Sequence, residues 1–194
     1  MWLVLLAFIL PVIVMPFEIP MPGGRRMRFD DGGIIRIQLA DEALLPPAPP
    51  LGSYPEGSTL ASIEVRDTET VKGFGAFCTR PLAKHTFLGF YDGVLVKGRE
   101  SLDIASGDRT SMDYVMSIDG GSIFLDGYVR AQNRSSFSPV HMNHAEKGNE
   151  GCNCLRVLSN GQVAFFTSRD VLEGEELCFD YGKNYWEGRE SEKI

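Results

Sequence analysis

The sequence predicts a mostly β domain built of small sheets. After residue 58 the chain breaks into short β-like runs punctuated by turn signals at Asp92-Gly93, Asp119-Gly120-Gly121 and Asn160-Gly161. Asn160-Gly161 stands between two apolar runs, a strong signal for a tight hairpin. No long amphipathic helix stands out; residues 99–110 read as one short helix.

The expected strands, in order, are Ser62–Val65, Ala76–Thr79, Phe87–Tyr91, Val94–Lys97, Tyr114–Ile118, Ile123–Leu125, Leu155–Leu158, Val163–Thr167 and Glu176–Phe179. No internal repeat is evident. Ahead of them, Met1–Phe17 is almost wholly apolar but broken at Pro11 and Pro16, short for a membrane span. It resembles the apolar core of a signal peptide without a positive flank or a clear cleavage site. Targeting segment or anchor, docked apolar arm, and misassigned start all remain open. Any membrane contact is expected only through residues 1–17. They allow a secretory, organellar or membrane-associated form, whereas the domain alone suits nucleus or cytoplasm. Residues 41–57 hold five prolines and read as an extended linker. The expected organisation is an apolar segment over 1–20, a Pro-rich linker region over 21–57, a folded domain over 58–186 and a polar tail over 187–194.

A chain of 194 residues suits one domain with a sizeable core, and its 43% hydrophobic content is ordinary for a globular protein. The net charge of −7 argues against direct nucleic-acid binding, which needs a Lys/Arg excess. It suits a basic, Lys-rich partner, although most acidic proteins are simply soluble. Of Cys78, Cys152, Cys154 and Cys178, only Cys152-x-Cys154 is a close pair, and nothing completes a zinc site. No metal is expected, and buried free thiols are the better reading.

Lys72-Gly73-Phe74-Gly75-Ala76-Phe77 places two glycines around an aromatic at the start of a strand. Glycine there permits positive φ and close backbone approach to a ligand, though a plain turn has the same pattern. It is not a dinucleotide fingerprint, because the third glycine and the βαβ pattern are missing. Its company is more specific. Phe90-Tyr91-Asp92-Gly93, Asp113-Tyr114, Leu125-Asp126-Gly127, Asn143-His144 and Phe179-Asp180-Tyr181-Gly182 follow in order. This series resembles the SET domain of protein lysine methyltransferases over about residues 60–186.

The resemblance implies small sheets around a knot-like C-terminal core, S-adenosylmethionine as cofactor, and transfer of a methyl group to a lysine-bearing protein or peptide, histone or not. It implies that Lys72, Gly73, Phe74 and Gly75 meet the methionyl part of the cofactor. Asn143 and His144 would hold it, largely through backbone, with the Asn143 side chain facing it. Tyr181 would be the catalytic tyrosine, and Tyr114 would serve both the lysine channel and the cofactor. Tyr91 and Phe179 would line the channel, with phenylalanine at 179 leaving room for a second or third methyl. The Tyr185-Trp186 pair would fold over the adenine as an aromatic lid. Each has a plainer alternative: Tyr181 and Trp186 as packing residues, Phe179 as an inward strand residue.

The chemistry accounts for such residues. A free lysine has a pKa of about 10.4, so at neutral pH only roughly one in a few thousand is deprotonated. An apolar channel and a nearby sulfonium both disfavour the ammonium. The channel then needs aromatic walls, a hydroxyl and positioning rather than a strong base.

The chain also departs from the family. Many members carry a Cys-rich, zinc-binding tail after Asp-Tyr-Gly, whereas 12 residues follow Gly182 here and contain no cysteine. Another element is expected to close the channel, or the cofactor site is more open. Val140 stands where an arginine is common, and either Asn149 or Asn153 takes the role of a downstream family asparagine. A catalytically weak SET-like module that binds peptide or cofactor is the alternative, and a disulfide-held secreted or anchored β-domain is a third reading.

Overall fold

The computed structural model describes residues 17–21, 25–29, 35–38, 59–106, 112–118, 121–159, 162–187, 189 and 191. The chain divides into two compact units, Met1–Leu44 and Leu45–Ile194. The apolar segment up to residue 16, the proline run at 41–57 and the turn residues Asp119, Gly120, Asn160 and Gly161 lie outside the described residues.

In the first unit, β1 (Phe17–Met21), β2 (Arg25–Phe29) and β3 (Ile35–Gln38) form an antiparallel sheet in the order β1-β2-β3. Ile19, Met27 and Ile37 stand opposite one another in register. β2 and β3 fall within the Pro-rich linker region expected over residues 21–57. Pro20 obscures the signal in the sequence, but β1 is an edge strand, where proline removes no interior ladder bond.

The second unit holds the expected small sheets. β4 (Ile63–Asp67) and β5 (Phe74–Cys78) form a hairpin with Ile63 opposite Cys78 and Asp67 opposite Phe74. Its loop closes with Thr68 N and Oγ1 both donating to Gly73 O at 2.7 Å, and Gly73 takes φ +72°. A left-handed residue there is the conformational reason for the first glycine.

β6 (Phe87–Phe90), β11 (Cys154–Ser159) and β12 (Gln162–Thr167) form a sheet in the order β11-β12-β6. β12 is central and is buried from Val163 to Thr167. Successive strand residues face opposite ways. Val163 and Phe165 accordingly join the main core with Leu88, Met142 and Phe179, while Ala164 and Phe166 pack a second cluster with Phe90. Ser159 pairs with Gln162, so the strands flanking Asn160-Gly161 form the expected hairpin.

β7 (Val94–Lys97), β8 (Val115–Ser117) and β9 (Ile123–Asp126) form a third sheet in the order β7-β9-β8. α1 (Arg99–Ser106) lies within the expected 99–110 helix and packs Leu102 against Val96 and Phe124. α2 (Tyr128–Ala131) and α3 (Lys183–Trp186) are single turns that no periodicity announces.

The smallest sheet is the most consequential. β10 (Asn143–His144) runs parallel to β13 (Cys178–Phe179), with Asn143 opposite Cys178 and His144 opposite Phe179. A parallel pair needs a long crossover, here the β11–β12 hairpin and the loop after it. The strand expected over Glu176–Phe179 is shorter than predicted, since residue 176 makes only an isolated bridge to Phe77.

Candidate active site

The two signature segments of the sequence meet in this parallel pair, and the pair partitions two cavities. On one side lies a cavity of about 900 Å³, lined by Lys72, His144, Glu146, Arg169, Glu176 and Cys178 among others. On the other lies one of about 710 Å³, lined in part by Tyr91, Met142, Phe179, Tyr181, Tyr185 and Arg189. Cys178 and Phe179 are neighbours in β13 yet line opposite cavities, because a strand alternates its side chains.

On the first side, Gly75 brings β5 against β10 and the segment leading into β13. A Cβ at position 75 would stand 2.3 Å from Glu176 Oε1, 2.9 Å from Thr68 Cγ2 and 3.1 Å from Asn143 Nδ2. The second glycine of Gly-x-Gly thus makes room for protein side chains, where the sequence suggests room for a ligand. Lys72 Nζ donates to His144 O at 3.4 Å, and the Arg134 guanidinium lies 3.5 Å over the Phe74 ring. Asn143 Nδ2 donates to Glu176 Oε1 at 2.7 Å and to Phe74 O at 3.1 Å.

Arg169 walls this cavity through a forked pair with Glu175, its Nη1 and Nη2 reaching Oε2 and Oε1 at 2.9 and 2.8 Å. Nη2 also donates to Glu150 O at 2.8 Å, which ties two loops together. Bonding to Arg169 holds the Glu175 carboxyl below its ordinary range. A carboxyl depressed in the folded state contributes stability above its unfolded value, about 4.5, and loses it as pH falls through the folded one. Wild type is therefore expected to lose more unfolding free energy than Glu175→Gln between about pH 6 and about pH 3.5, by urea titration. Equal losses would refute the assignment.

On the second side the aromatic group closes around Tyr181. Its ring centroid lies 4.8 Å from Phe179, 4.7 Å from Tyr185 and 5.3 Å from His144, and it stacks on Trp186 at 6.3 Å with an 11° interplanar angle. The hydroxyl donates to Met142 O at 2.8 Å. Burial pushes the Tyr181 phenol well above its ordinary range. Tyr181 N donates to His144 Nδ1 at 3.2 Å, so the imidazole orients the tyrosine backbone. Gly182 then turns the chain at φ +88°, and its N–H donates to Asp180 Oδ1 at 2.8 Å.

Tyr91 is buried, its hydroxyl donates to Tyr114 O at 2.9 Å, and burial raises its pKa. Tyr114 thus holds Tyr91 through its carbonyl, while its ring meets Tyr128 edge-on at 6.1 Å. Trp186 packs edge-on against His144 at 4.8 Å and borders a third hollow with Asp180 and Lys183.

Several contacts of the site are not legible in the sequence alone. Tyr185 Oη donates to Asp113 Oδ1 at 3.3 Å, Arg189 pairs with the same carboxylate, and the guanidinium lies 5.0 Å over the Tyr185 ring. This strap forms a wall of the second cavity. Burial, and next the Asp113 carboxylate, push the Tyr185 phenol up to about 12. Between Asn149 and Asn153, the structure buries Asn153 at 1% exposure. Its Nδ2 donates to Glu176 O at 2.8 Å and its Oδ1 accepts from Cys178 N at 2.9 Å. Asn149 is exposed and caps a local turn through Gly151 N at 3.0 Å. All four cysteines are free thiols, with Cys78, Cys154 and Cys178 buried.

The SET domain family model matches residues 73–182, more than half of the chain. The chain belongs to the SET-domain family. This SET domain is 30% identical over 112 residues to the histone-lysine N-methyltransferases EZ1 of Zea mays and CLF of Arabidopsis thaliana. The matched stretch is 57% of this chain but only 11% and 12% of those proteins. MEDEA of Arabidopsis thaliana is also 30% identical over 112 residues, 15% of its length. Among solved structures, the polycomb repressive complex 2 of Chaetomium thermophilum superposes with a TM-score of 0.51 at 22% identity. The superposition covers 66% of this chain and 16% of that one. A ctPRC2 structure in an autoinhibited conformation bound to S-adenosylmethionine gives the same TM-score at 19% identity, with the same coverage. These two likenesses establish the fold.

Proposed function

We propose that this SET domain transfers a methyl group from S-adenosylmethionine to a lysine side chain of a protein. The observation that carries the reading is the partition. Two cavities lie on the two sides of β10 and β13, one lined by carboxylates and amides, the other presenting Tyr91, Phe179, Tyr181 and Tyr185 among charged and polar side chains. The relatives, named as histone-lysine methyltransferases, supply the reaction class.

The first cavity fits the cofactor by its donor set. Glu146 and Glu150 offer negative charge to a sulfonium and an ammonium, and Lys72 offers positive charge to a carboxylate. In this reading Lys72, Gly73, Phe74, Gly75, Asn143 and His144 hold the cofactor, and Trp186 borders its far end. The cofactor supplies an electrophilic methyl on a positively charged sulfur. The chain does the rest by positioning.

Tyr181 acts as a neutral hydroxyl. Its raised pKa keeps it protonated, and its proton is committed to Met142 O. Its oxygen lone pairs therefore meet an incoming amine as an acceptor, which orients the nitrogen rather than deprotonating it. The aromatic walls from Tyr91, Phe179 and Tyr185 disfavour the ammonium form of the lysine. Phe179 brings no hydroxyl to hold a water there, which fits addition of more than one methyl.

The test is calorimetry of the 194-residue chain with S-adenosylmethionine, followed by radiolabelled methyl transfer to histones and to cell extract in separate reactions. Heat of binding and label on protein lysine are expected. Label confined to extract places the substrate outside histones. A folded chain that gives neither heat nor label refutes the reading.

A further inference from the structure

The amide of Asn143 has two ends, and only one of them is engaged among the described residues. Nδ2 donates both to Glu176 Oε1 and to Phe74 O, at 2.7 and 3.1 Å. A carboxylate and a backbone carbonyl are pure acceptors, so chemistry decides which end of the amide faces them. An amide nitrogen has two protons, and these two bonds use both. No described residue donates to Oδ1. What Asn143 retains for a ligand is an acceptor.

Glu176 is itself held from several directions. Its carboxylate fills the room left by Gly75, where a Cβ would come within 2.3 Å of Oε1. Its backbone carbonyl accepts from the buried Asn153, and residue 176 bridges Phe77 of β5. Its side chain lines the first cavity beside Lys72 and His144. The carboxylate therefore stands where β5, β10 and the approach to β13 converge.

We infer that Glu176 is a positioning residue whose carboxylate, with Phe74 O, locks the Asn143 amide so that its carbonyl oxygen is left for an N–H donor of the ligand. An ammonium suits such an oxygen. The identity of that ammonium as the cofactor's rests on the proposed function; the lock does not.

The experiment has two arms on the 194-residue chain. In the first, NMR of the ligand-free, ¹⁵N-labelled wild type reads the Asn143 side-chain amide protons. They are expected to be dispersed and protected from exchange, and in Glu176→Ala to lose that protection. Exchange at free-amide rates in wild type overturns the lock, whether or not the alanine chain folds. In the second, calorimetry measures S-adenosylmethionine. Glu176→Ala is expected to weaken binding by about tenfold or more, as for loss of a charge-assisted hydrogen bond. Glu176→Gln keeps an acceptor and should restore most of the affinity. The double variant Asn143→Ala/Glu176→Ala should bind no more weakly than Asn143→Ala alone. Additive losses, or a glutamine as damaging as alanine, overturn the inference. A folded wild type that gives no heat but shows protected Asn143 protons sinks the cofactor reading and leaves the lock standing.

Discussion

Tyr181→Phe is expected to cut methyl transfer by about 100-fold or more while leaving S-adenosylmethionine affinity within about threefold of wild type. The ring is retained, so its contacts with Phe179, Tyr185, His144 and Trp186 survive. Only the hydroxyl goes. Met142 O loses its donor at 2.8 Å, and an incoming amine loses the oxygen that would orient it. The proposed cofactor cavity is spared because Tyr181 lines the second cavity and not the first. Because the phenol is held neutral, the wild-type pH profile should show no limb from Tyr181 ionisation near pH 10. Single-turnover rates and calorimetry check the two halves separately. A rate within about threefold of wild type would show that Tyr181 is a packing residue, the plainer alternative.

The largest stability effect is expected at Asn153. Asn153→Ala should cost about 3 kcal/mol, because it strands two backbone groups that, among the described residues, this side chain alone satisfies. Those groups are Cys178 N and Glu176 O, bonded at 2.9 and 2.8 Å by a side chain only 1% exposed. Both belong to the segment that forms β13 and carries Glu176. The loss should therefore also weaken cofactor binding at temperatures where the chain stays folded. Asn149→Ala is the control. It is exposed, serves one local turn, and should shift stability by less than about 0.5 kcal/mol. Urea unfolding of the two variants decides the matter. Equal effects would mean that the burial of Asn153 does not carry the parallel pair.

Local pattern was enough for much of the sheet framework. Val94–Lys97 forms a strand over the range its residues predict, and Val163–Thr167 lies within β12. The hairpin around Asn160-Gly161 is visible in its flanking pairing. Such signals are readable because a strand alternates its faces and because Asn-Gly populates the positive φ of a tight turn. Other elements carried no such signal. β10 is two residues long, too short to show a period. β1 contains a proline, and β2 is rich in arginine, so neither reads as a strand until its partners are in register.

The site divides along the same line. The order of Gly-x-Gly, Asn-His and Asp-Tyr-Gly is written in the chain and is sufficient for family membership, since residue identity and order survive without coordinates. The choice of Asn153 over Asn149, the reason for Gly75 and the engagement of Glu176 with Asn143 belong to the folded state. So does the convergence of Tyr185 and Arg189 on Asp113. Each depends on segments tens of residues apart being brought within a hydrogen bond, and a single sequence read locally contains no distance between them. Burial likewise decides which of two identical side chains bears on stability, and burial exists only after the sheets have packed.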